Sequence, residues 1–289
     1  MEHPENMSQI SAAAVKELRD RTDMPMMKCK AALERAGGDI EKAILVLREE
    51  GGKFMASDKG ARETAEGRIG AYSDHKTAGA LVEMRCESPM VVKNDKFIEL
   101  ANELARQVAT NLPASVDDLM AQKLIADPAR TVKDRVADVV GLIRENMRPA
   151  RFARLDGITG EYVHHDGTVG VLIQVKGESA DPVLLRDVCT HIAALTPQYA
   201  LASEVPADVA DREKALAKKQ AEETAAGKPG AVVEKIAEGK YKTWLGENVL
   251  VDQPMANQMK YPKKTVGELL KAAKLEVVKF VRYKVGGQG

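Results

Sequence analysis

Aromatic residues are scarce: Phe, Trp and Tyr make up 4 % of the 289-residue chain. Any core must therefore be built from Ala, Val, Leu, Ile and Met. A surplus of charge is missing too. Lys plus Arg and Asp plus Glu stand at 43 each, so the formal net charge is zero. A protein whose main task is gripping nucleic acid needs extra cations to neutralise phosphates, and no basic block supplies them. Cysteine is sparse, with Cys29, Cys86 and Cys189 far apart. No Cys-x-x-Cys pair occurs, which argues against a disulfide framework and a zinc knuckle. The three read as small buried apolar side chains in a reducing compartment. No apolar run nears the roughly 20 residues that a bilayer-spanning helix needs. The leading Met1-Glu2-His3-Pro4-Glu5 has neither the basic nor the apolar stretch of an export signal. The expected location is cytoplasmic.

Catalytic patterns are absent as well. There is no Walker loop, no Gly-x-Ser-x-Gly and no His-Glu-x-x-His. His75, His164, His165 and His191 do not stand at metal-ligand spacing from carboxylates or thiols. His164 and His165 adjoin near a hairpin tip, where strand alternation should send them to opposite faces, away from a shared metal. The charged stretch from Arg212 to Glu223 reads as a solvated helix face. The expectation is a non-enzymatic protein without cofactor or metal.

What is present is a clear punctuation of helices and hairpins in an α+β chain. Its length allows one to three domains. A first helix is expected from about Ser11 to Arg21. Pro25 suits the next helix start, and Met26, Cys29, Ala32, Leu33 and Ala36 form an inward stripe. Gly37-Gly38 ends that helix. Asp39 caps a third, with Ile40, Ala43, Ile44 and Leu47 inward, and Gly51-Gly52 is expected to stop it. Helices this short must pack together to be stable. Residues 1–52 thus read as a three-helix domain of ubiquitin-associated shape, and 53–67 as a linker.

An approximate internal repeat follows. Gly70-Ala71-Tyr72 pairs across a polar turn with Gly79-Ala80-Leu81-Val82-Glu83. Gly160-Glu161-Tyr162 pairs across Asp166-Gly167 with Gly170-Val171-Leu172-Ile173-Gln174. Ser88-Pro89 opens a helix after the first hairpin, and Asp181-Pro182 opens one after the second. The first helix turns Phe97, Leu100, Ala101, Leu104 and Val108 inward; the second turns Leu185, Val188, Ile192 and Leu195 inward. Further helices are expected at Val116–Ile125 and Thr131–Met147. The core is read as two similar hairpin-plus-helix subdomains, 68–149 and 150–206, the latter resuming at 241–289. Between its parts, residues 207–240 read as an antiparallel helical hairpin. Ala210, Ala217, Ala221 and Ala225 recur, Gly227-Lys228-Pro229-Gly230 turns the chain, and Val233, Ile236, Tyr241 and Trp244 follow. Its narrow apolar face suggests a projecting coiled coil. A last strand around Val278 and Phe280 should pair with the second hairpin, before the tail Gly286-Gly287-Gln288-Gly289.

Two places suit docking. Met24, Met26 and Met27 crowd a helix start, and Met27 lies about 100° from the inward stripe. Its thioether fits either a partner contact or a gap against a neighbouring domain. At Ser88-Pro89-Met90-Val91, Met90 either points outward or packs under its helix.

Three runs carry a family resemblance: Val15-Lys16-Glu17-Leu18-Arg19-Asp20-Arg21-Thr22, Met26-Met27-Lys28-Cys29-Lys30-Ala31-Ala32-Leu33 and Gly38-Asp39-Ile40-Glu41-Lys42-Ala43. Together they closely resemble the N-terminal signature of the elongation factor Ts family, whose usual forms are VKELRxxTG, MMxCKxAL and GDIExA. Gly170-Val171-Leu172, Gly227-Lys228-Pro229 and Lys264-Thr265-Val266-Gly267-Glu268-Leu269-Leu270 are similar to further family motifs in the same order. The resemblance spans essentially the whole chain. It implies a guanine nucleotide exchange factor that binds elongation factor Tu in GDP-bound and nucleotide-free states. By that resemblance Arg19, Met26, Met27 and Lys30 touch the partner's nucleotide domain, while His164 or His165 meets one of its β-domains.

The family's turn before the first core helix usually reads Thr-Asp-Phe-Val and disturbs the partner's Mg²⁺ and GDP phosphates. Here Ser88, Pro89, Met90 and Val91 stand in that turn. Ser88 is expected to cap the helix in place of Thr. Met90 keeps an apolar wedge, but Pro89 brings no carboxylate. The chain is also expected to stop after its last strand, without the helical module that ends some relatives. Two rivals stay open: a leading three-helix module that recognises some other surface, and a divergent paralogue that binds elongation factor Tu as a chaperone.

Overall fold

The computed structural model describes residues 10–178 and 181–287. The first nine residues and the last two of the tail, about which the sequence raised expectations, lie outside that range. The fold is α+β, with eleven α-helices and six strands among the described residues. It divides into two compact units: residues through Gly70 with Val82–Phe152, and Ala71–Leu81 with residues from Ala153 onward.

In unit 1, α1 (Ala12–Thr22) starts where the Ser11 hydroxyl accepts the Ala14 N–H at 3.1 Å. Helix α2 (Met26–Arg35) ends at Gly37 and Gly38, both at positive φ, with Gly38 N–H bonded to Leu33 O at 2.8 Å. Asp39 caps α3 (Ile40–Met55) through the Lys42 N–H at 3.0 Å. Val15, Leu18, Met24, Cys29, Leu33 and Leu47 fill the space between the three helices. Met26 does not join the inward stripe expected of it. As the first residue of α2, with no turn before it to cover, it is 53 % exposed.

Gly51-Gly52 does not stop α3, which runs on to Met55 and buries Phe54. The reason lies in packing. A Cβ on Gly51 would run into the carbonyl oxygen of Ala137 and stand 3.5 Å from the Gly141 Cα. Gly51 is where α3 crosses another helix at backbone distance, so the missing side chain serves close approach rather than termination.

Strands β1 (Glu66–Ser73) and β2 (Ala78–Cys86) form the first hairpin. The expected helix after it is split. Helix α4 (Pro89–Val92) is a single turn, and α5 (Asp95–Asn111) restarts behind it, capped by Asn94 through the Lys96 N–H at 2.9 Å. Ser88 makes no side-chain cap bond, contrary to expectation. Phe97, Leu100, Ala101, Leu104 and Val108 of α5 are all fully buried. Helix α6 (Val116–Ala121) ends four residues sooner than expected, and α7 (Val132–Ile143) opens with a Thr131–Asp134 capping box. Arg144 at φ +67 ends α7, and Met147 begins strand β3 (Met147–Asp156) instead of finishing the helix. The first sheet is ordered β1-β2-β3.

In unit 2, β4 (Ile158–Val163) and β5 (Val169–Gly177) pair antiparallel as the second hairpin. The Asp181 carboxylate accepts the Val183 and Leu184 N–H groups and starts α8 (Pro182–Leu195). Leu185, Val188 and Ile192 point inward as expected, but Leu195 is 45 % exposed where the helix ends at Thr196. Helices α9 (Ala207–Thr224) and α10 (Gly230–Asn248) pack side by side. Ala217, Ala221 and Ala225 are buried there, whereas α10 buries no residue fully. The Tyr199 carbonyl accepts the Leu250 N–H at 2.9 Å, and Asn248 O accepts the Gln198 N–H at 2.9 Å, closing the base of the pair. Helix α11 (Val266–Ala272) opens with a Thr265–Glu268 capping box, and β6 (Leu275–Lys284) pairs antiparallel with β5 as expected. The register slips between Gln174 and Val175, so Val277 is buried and Val278 is turned outward.

His191 is buried in this unit and is held structurally. Its Nδ1 accepts the Ala256 N–H at 3.0 Å, so Nε2 carries the proton and donates to Gln253 Oε1 at 2.8 Å. Burial lowers its pKa, with the Gln253 bond opposing. The folded form therefore resists a proton that the unfolded chain accepts near its ordinary value of 6.5. Stability is full above that value and is lost as pH falls through it toward the lowered folded pKa. Urea unfolding of the protein and of His191→Gln at pH 7.5 and 5.5 should show a larger acid loss for the unmodified chain. Equal losses would exclude His191 as the cause.

Among the described residues, no helix is long and apolar enough to cross a membrane.

Candidate functional site

Of the residues singled out for docking, Arg19, Met26, Met27, Lys30, Pro89, Met90 and His165 are exposed, Ser88 and His164 are half-buried, and Met24 and Val91 are buried. Met27 at 75 % and Met26 begin α2, and Lys30, one turn on, lies on the same helix surface. Arg19 is exposed on α1, which packs on α2. Between the two helices Asp23 takes a left-handed φ of +56, at the position where the resembled motif carries Gly. Its carboxylate pairs with Lys96 at 2.8 Å, and that bond raises the Lys96 pKa. The loop before Met26 is thereby fastened to the first turn of α5, a few residues after Met90.

Met90 points outward. It is 79 % exposed, while Val91 beside it is 4 % exposed and anchors the α4 turn from below. Pro89 is exposed as well and occupies the first helical position, where its missing N–H leaves no bond unmade. Ser88 faces the other way. Its N–H donates to Glu145 Oε2 at 3.1 Å and its hydroxyl to Glu145 Oε1 at 2.8 Å. The Cys86 thiol donates to Ser88 O at 3.5 Å. Burial, with the Glu145 charge adding to it, pushes that thiol up to about 12. In return, Asn146 N–H donates to Glu87 Oε1 at 2.5 Å, and Asn146 Nδ2 donates to Arg62 O at 2.7 Å.

The two docking places of unit 1 thus share one support, the C-terminal end of α7. Lys28 Nζ, next to Met27, donates to Gly141 O at 3.1 Å. Burial lowers the Lys28 pKa and Arg144 adds repulsion. Met24 packs against Gly141, and Glu145 follows four residues later to hold Ser88. Sequence reasoning missed Lys28, Gly141 and Glu145. No local signal marks Glu145, because its partner lies 57 residues away.

In unit 2, His164 follows the last residue of β4. Its N–H donates to Val169 O at 2.8 Å, and its carbonyl accepts from Gly167 N at 2.8 Å. The two imidazoles do not diverge as strand alternation suggested. Strand geometry stops at Val163, and the His164 and His165 rings meet edge-on with centroids 4.3 Å apart. Tyr162 Oη bonds His164 Nδ1 at 3.0 Å, and His165 is exposed. Burial raises the adjacent Asp166, but bonds from the Thr168 N–H and hydroxyl, both at 2.8 Å, outweigh it and hold the carboxyl below its usual range. Among the described residues no group of three or more His, Cys, Asp or Glu is placed to hold a metal ion.

Residues 87–287 match the family described as "Elongation factor TS". The chain belongs to the elongation factor Ts family. The elongation factor Ts of Azoarcus sp. (strain BH72) is 45 % identical over 284 residues, covering 97 % of this chain and 92 % of that protein. Those of Thioalkalivibrio sulfidiphilus and Aquifex aeolicus are 39 % and 36 % identical, each covering 96 % of this chain and 92 % and 98 % of their own length. Membership makes the protein a translation elongation factor that exchanges guanine nucleotide on elongation factor Tu. It does not favour the chaperone-like paralogue.

Proposed function

We propose that the Met90 turn does the displacing, and that the α2 start and the His164–His165 tip hold elongation factor Tu while it acts. The carrying observation is Met90 itself. A large apolar side chain stands almost free in solvent on a one-turn helix whose preceding residue, Ser88, is bonded to Glu145. Such a side chain gains by entering a partner. Met26, Met27, Arg19 and Lys30 supply an adaptable apolar contact ringed by cations. The first three helices serve as a ubiquitin-associated-like docking module, and α9–α10 form a coiled coil.

The partner is bound both with GDP and empty of nucleotide, the empty state more tightly. Linkage makes the effect reciprocal: the factor by which this protein weakens GDP binding is the factor by which GDP weakens this protein's binding. GTP then refills the pocket and releases the complex. A differential of a few kcal/mol between the partner's states is enough, each 1.4 kcal/mol being about tenfold. No covalent bond changes, so the protein acts by binding rather than as an enzyme. It needs no cofactor, contacts neither nucleic acid nor membrane directly, and works in the cytoplasm.

Stopped-flow release of fluorescent GDP from the cognate elongation factor Tu tests this. The protein should accelerate release in a saturable way, and excess nucleotide should dissolve the complex. Binding without acceleration would sink the displacement reading.

A further inference from the structure

Among the described residues, Glu145 is the carboxylate bonded to Ser88 in the Met90 turn, and it accepts with both oxygens. A serine before a helix ordinarily turns its oxygen to the helical N–H groups. Ser88 instead spends its hydroxyl and its N–H on Glu145, and the single-turn helix α4 is left without a side-chain cap. A one-turn helix without a cap cannot hold its own shape. Its orientation therefore rests on the buried Val91 and Val92 below it and on what Ser88 is tied to. Glu145 sits just beyond the left-handed Arg144 that ends α7, on a segment bonded back to Glu87 and Arg62. The crossed bonds, Ser88 to Glu145 and Asn146 to Glu87, fix the end of β2 to the end of α7 from both sides.

We infer that Glu145 is a positioning residue for exchange: it aims the Met90 side chain by holding Ser88 against the end of α7, and touches neither partner nor nucleotide itself. The inference rests on Met90 as the displacing group. Both Ser88 bonds go to the two oxygens of one carboxyl group, which fixes the turn in two directions at once. Loss of the carboxylate frees the turn to sample other orientations, of which few suit insertion. The saturating rate of exchange then falls, while initial docking through α2 and the His164–His165 tip is kept.

The test is stopped-flow GDP release with full-length variants and cognate elongation factor Tu, read as saturating rate and half-saturating concentration. Glu145→Ala should lower the saturating rate about fivefold or more and leave the half-saturating concentration within about twofold. Glu145→Gln, which can still accept the Ser88 N–H, should recover much of the loss. Glu145→Ala/Met90→Ala should be no slower than Met90→Ala, because an unaimed group and an absent one are equivalent. Should Glu145→Ala unfold, Ser88→Ala removes the hydroxyl arm alone and should lower the rate by about twofold to threefold.

If Met90→Ala slows release but both Glu145→Ala and Ser88→Ala run at full speed, the positioning role is overturned. Independent, multiplying losses in the double variant, or a change confined to half-saturation, overturn it equally. If Met90→Ala is itself as fast as the unmodified protein, the displacement reading fails instead.

Discussion

Replacing Gly51 with alanine lowers the stability of unit 1 by about 2 kcal/mol, whereas the same change at Gly52 raises it by about 0.5–1 kcal/mol. The two glycines are neighbours in α3, so helix propensity alone predicts a gain of about 1 kcal/mol at each. Packing decides otherwise at one of them. A Cβ on Gly51 would overlap the Ala137 carbonyl oxygen of α7, while a Cβ on Gly52 meets nothing within 4 Å. The overlapping atom is backbone and cannot swing aside, so α3 and α7 must separate. That separation also strains the Lys28 bond to Gly141 and the Arg48–Asp138 pair at 3.6 Å. Urea unfolding of the two variants beside the parent measures both signs. Equal stabilisation by both substitutions would refute the close crossing.

Met90→Ala slows nucleotide displacement about tenfold and leaves stability unchanged within about 0.5 kcal/mol. Burying a methionine fully is worth about 1.5–3 kcal/mol. Part of that gain is offset by the rotamer freedom the flexible side chain loses on insertion. About 1.4 kcal/mol, or one decade in rate, remains. Stability is spared because the side chain is 79 % exposed and leaves no cavity when shortened. Met259 is the control: it is 98 % exposed on a loop of unit 2, and Met259→Ala should not alter exchange. Fluorescent GDP release measures the rates, and an undiminished rate for Met90→Ala would remove the wedge.

The parts of the fold governed by local chemistry were legible. Both hairpins, the Asp39 and Asp181 caps, the glycine end of α2 and the pairing of β6 with β5 all follow from residues close in sequence or from alternation. The parts governed by distant neighbours were not. Gly51 reads as a stop signal unless one knows that Ala137 lies against it. Ser88-Pro89 reads as the start of α5, but Asn94 caps the longer helix and Glu145 draws Ser88 away. Strand β3 was overlooked although Met147-Arg148-Pro149-Ala150-Arg151 shows a period of two, with Met147 and Pro149 inward and Arg148 and Ala150 outward. Its proline and the preceding helical pattern masked the signal.

The docking residues divide the same way. Position in a helix turn left open whether Met27 and Met90 face solvent, and the structure exposes both. Met26 was misplaced because the first residue of a helix has no preceding turn to cover. The support beneath them was invisible, since it joins Lys28 to Gly141 and Ser88 to Glu145 across long sequence separations.

The clasp at Gln198, Tyr199, Asn248 and Leu250 has a consequence for how this chain can change. Beyond that clasp, no residue of α10 is fully buried. Whole turns can be added to or taken from α9 and α10 in step without disturbing the body, since doubling a closed loop adds only about 0.6 kcal/mol of entropy. The α9–α10 pair can thus change in length while the sheet and its covering helices stay the same.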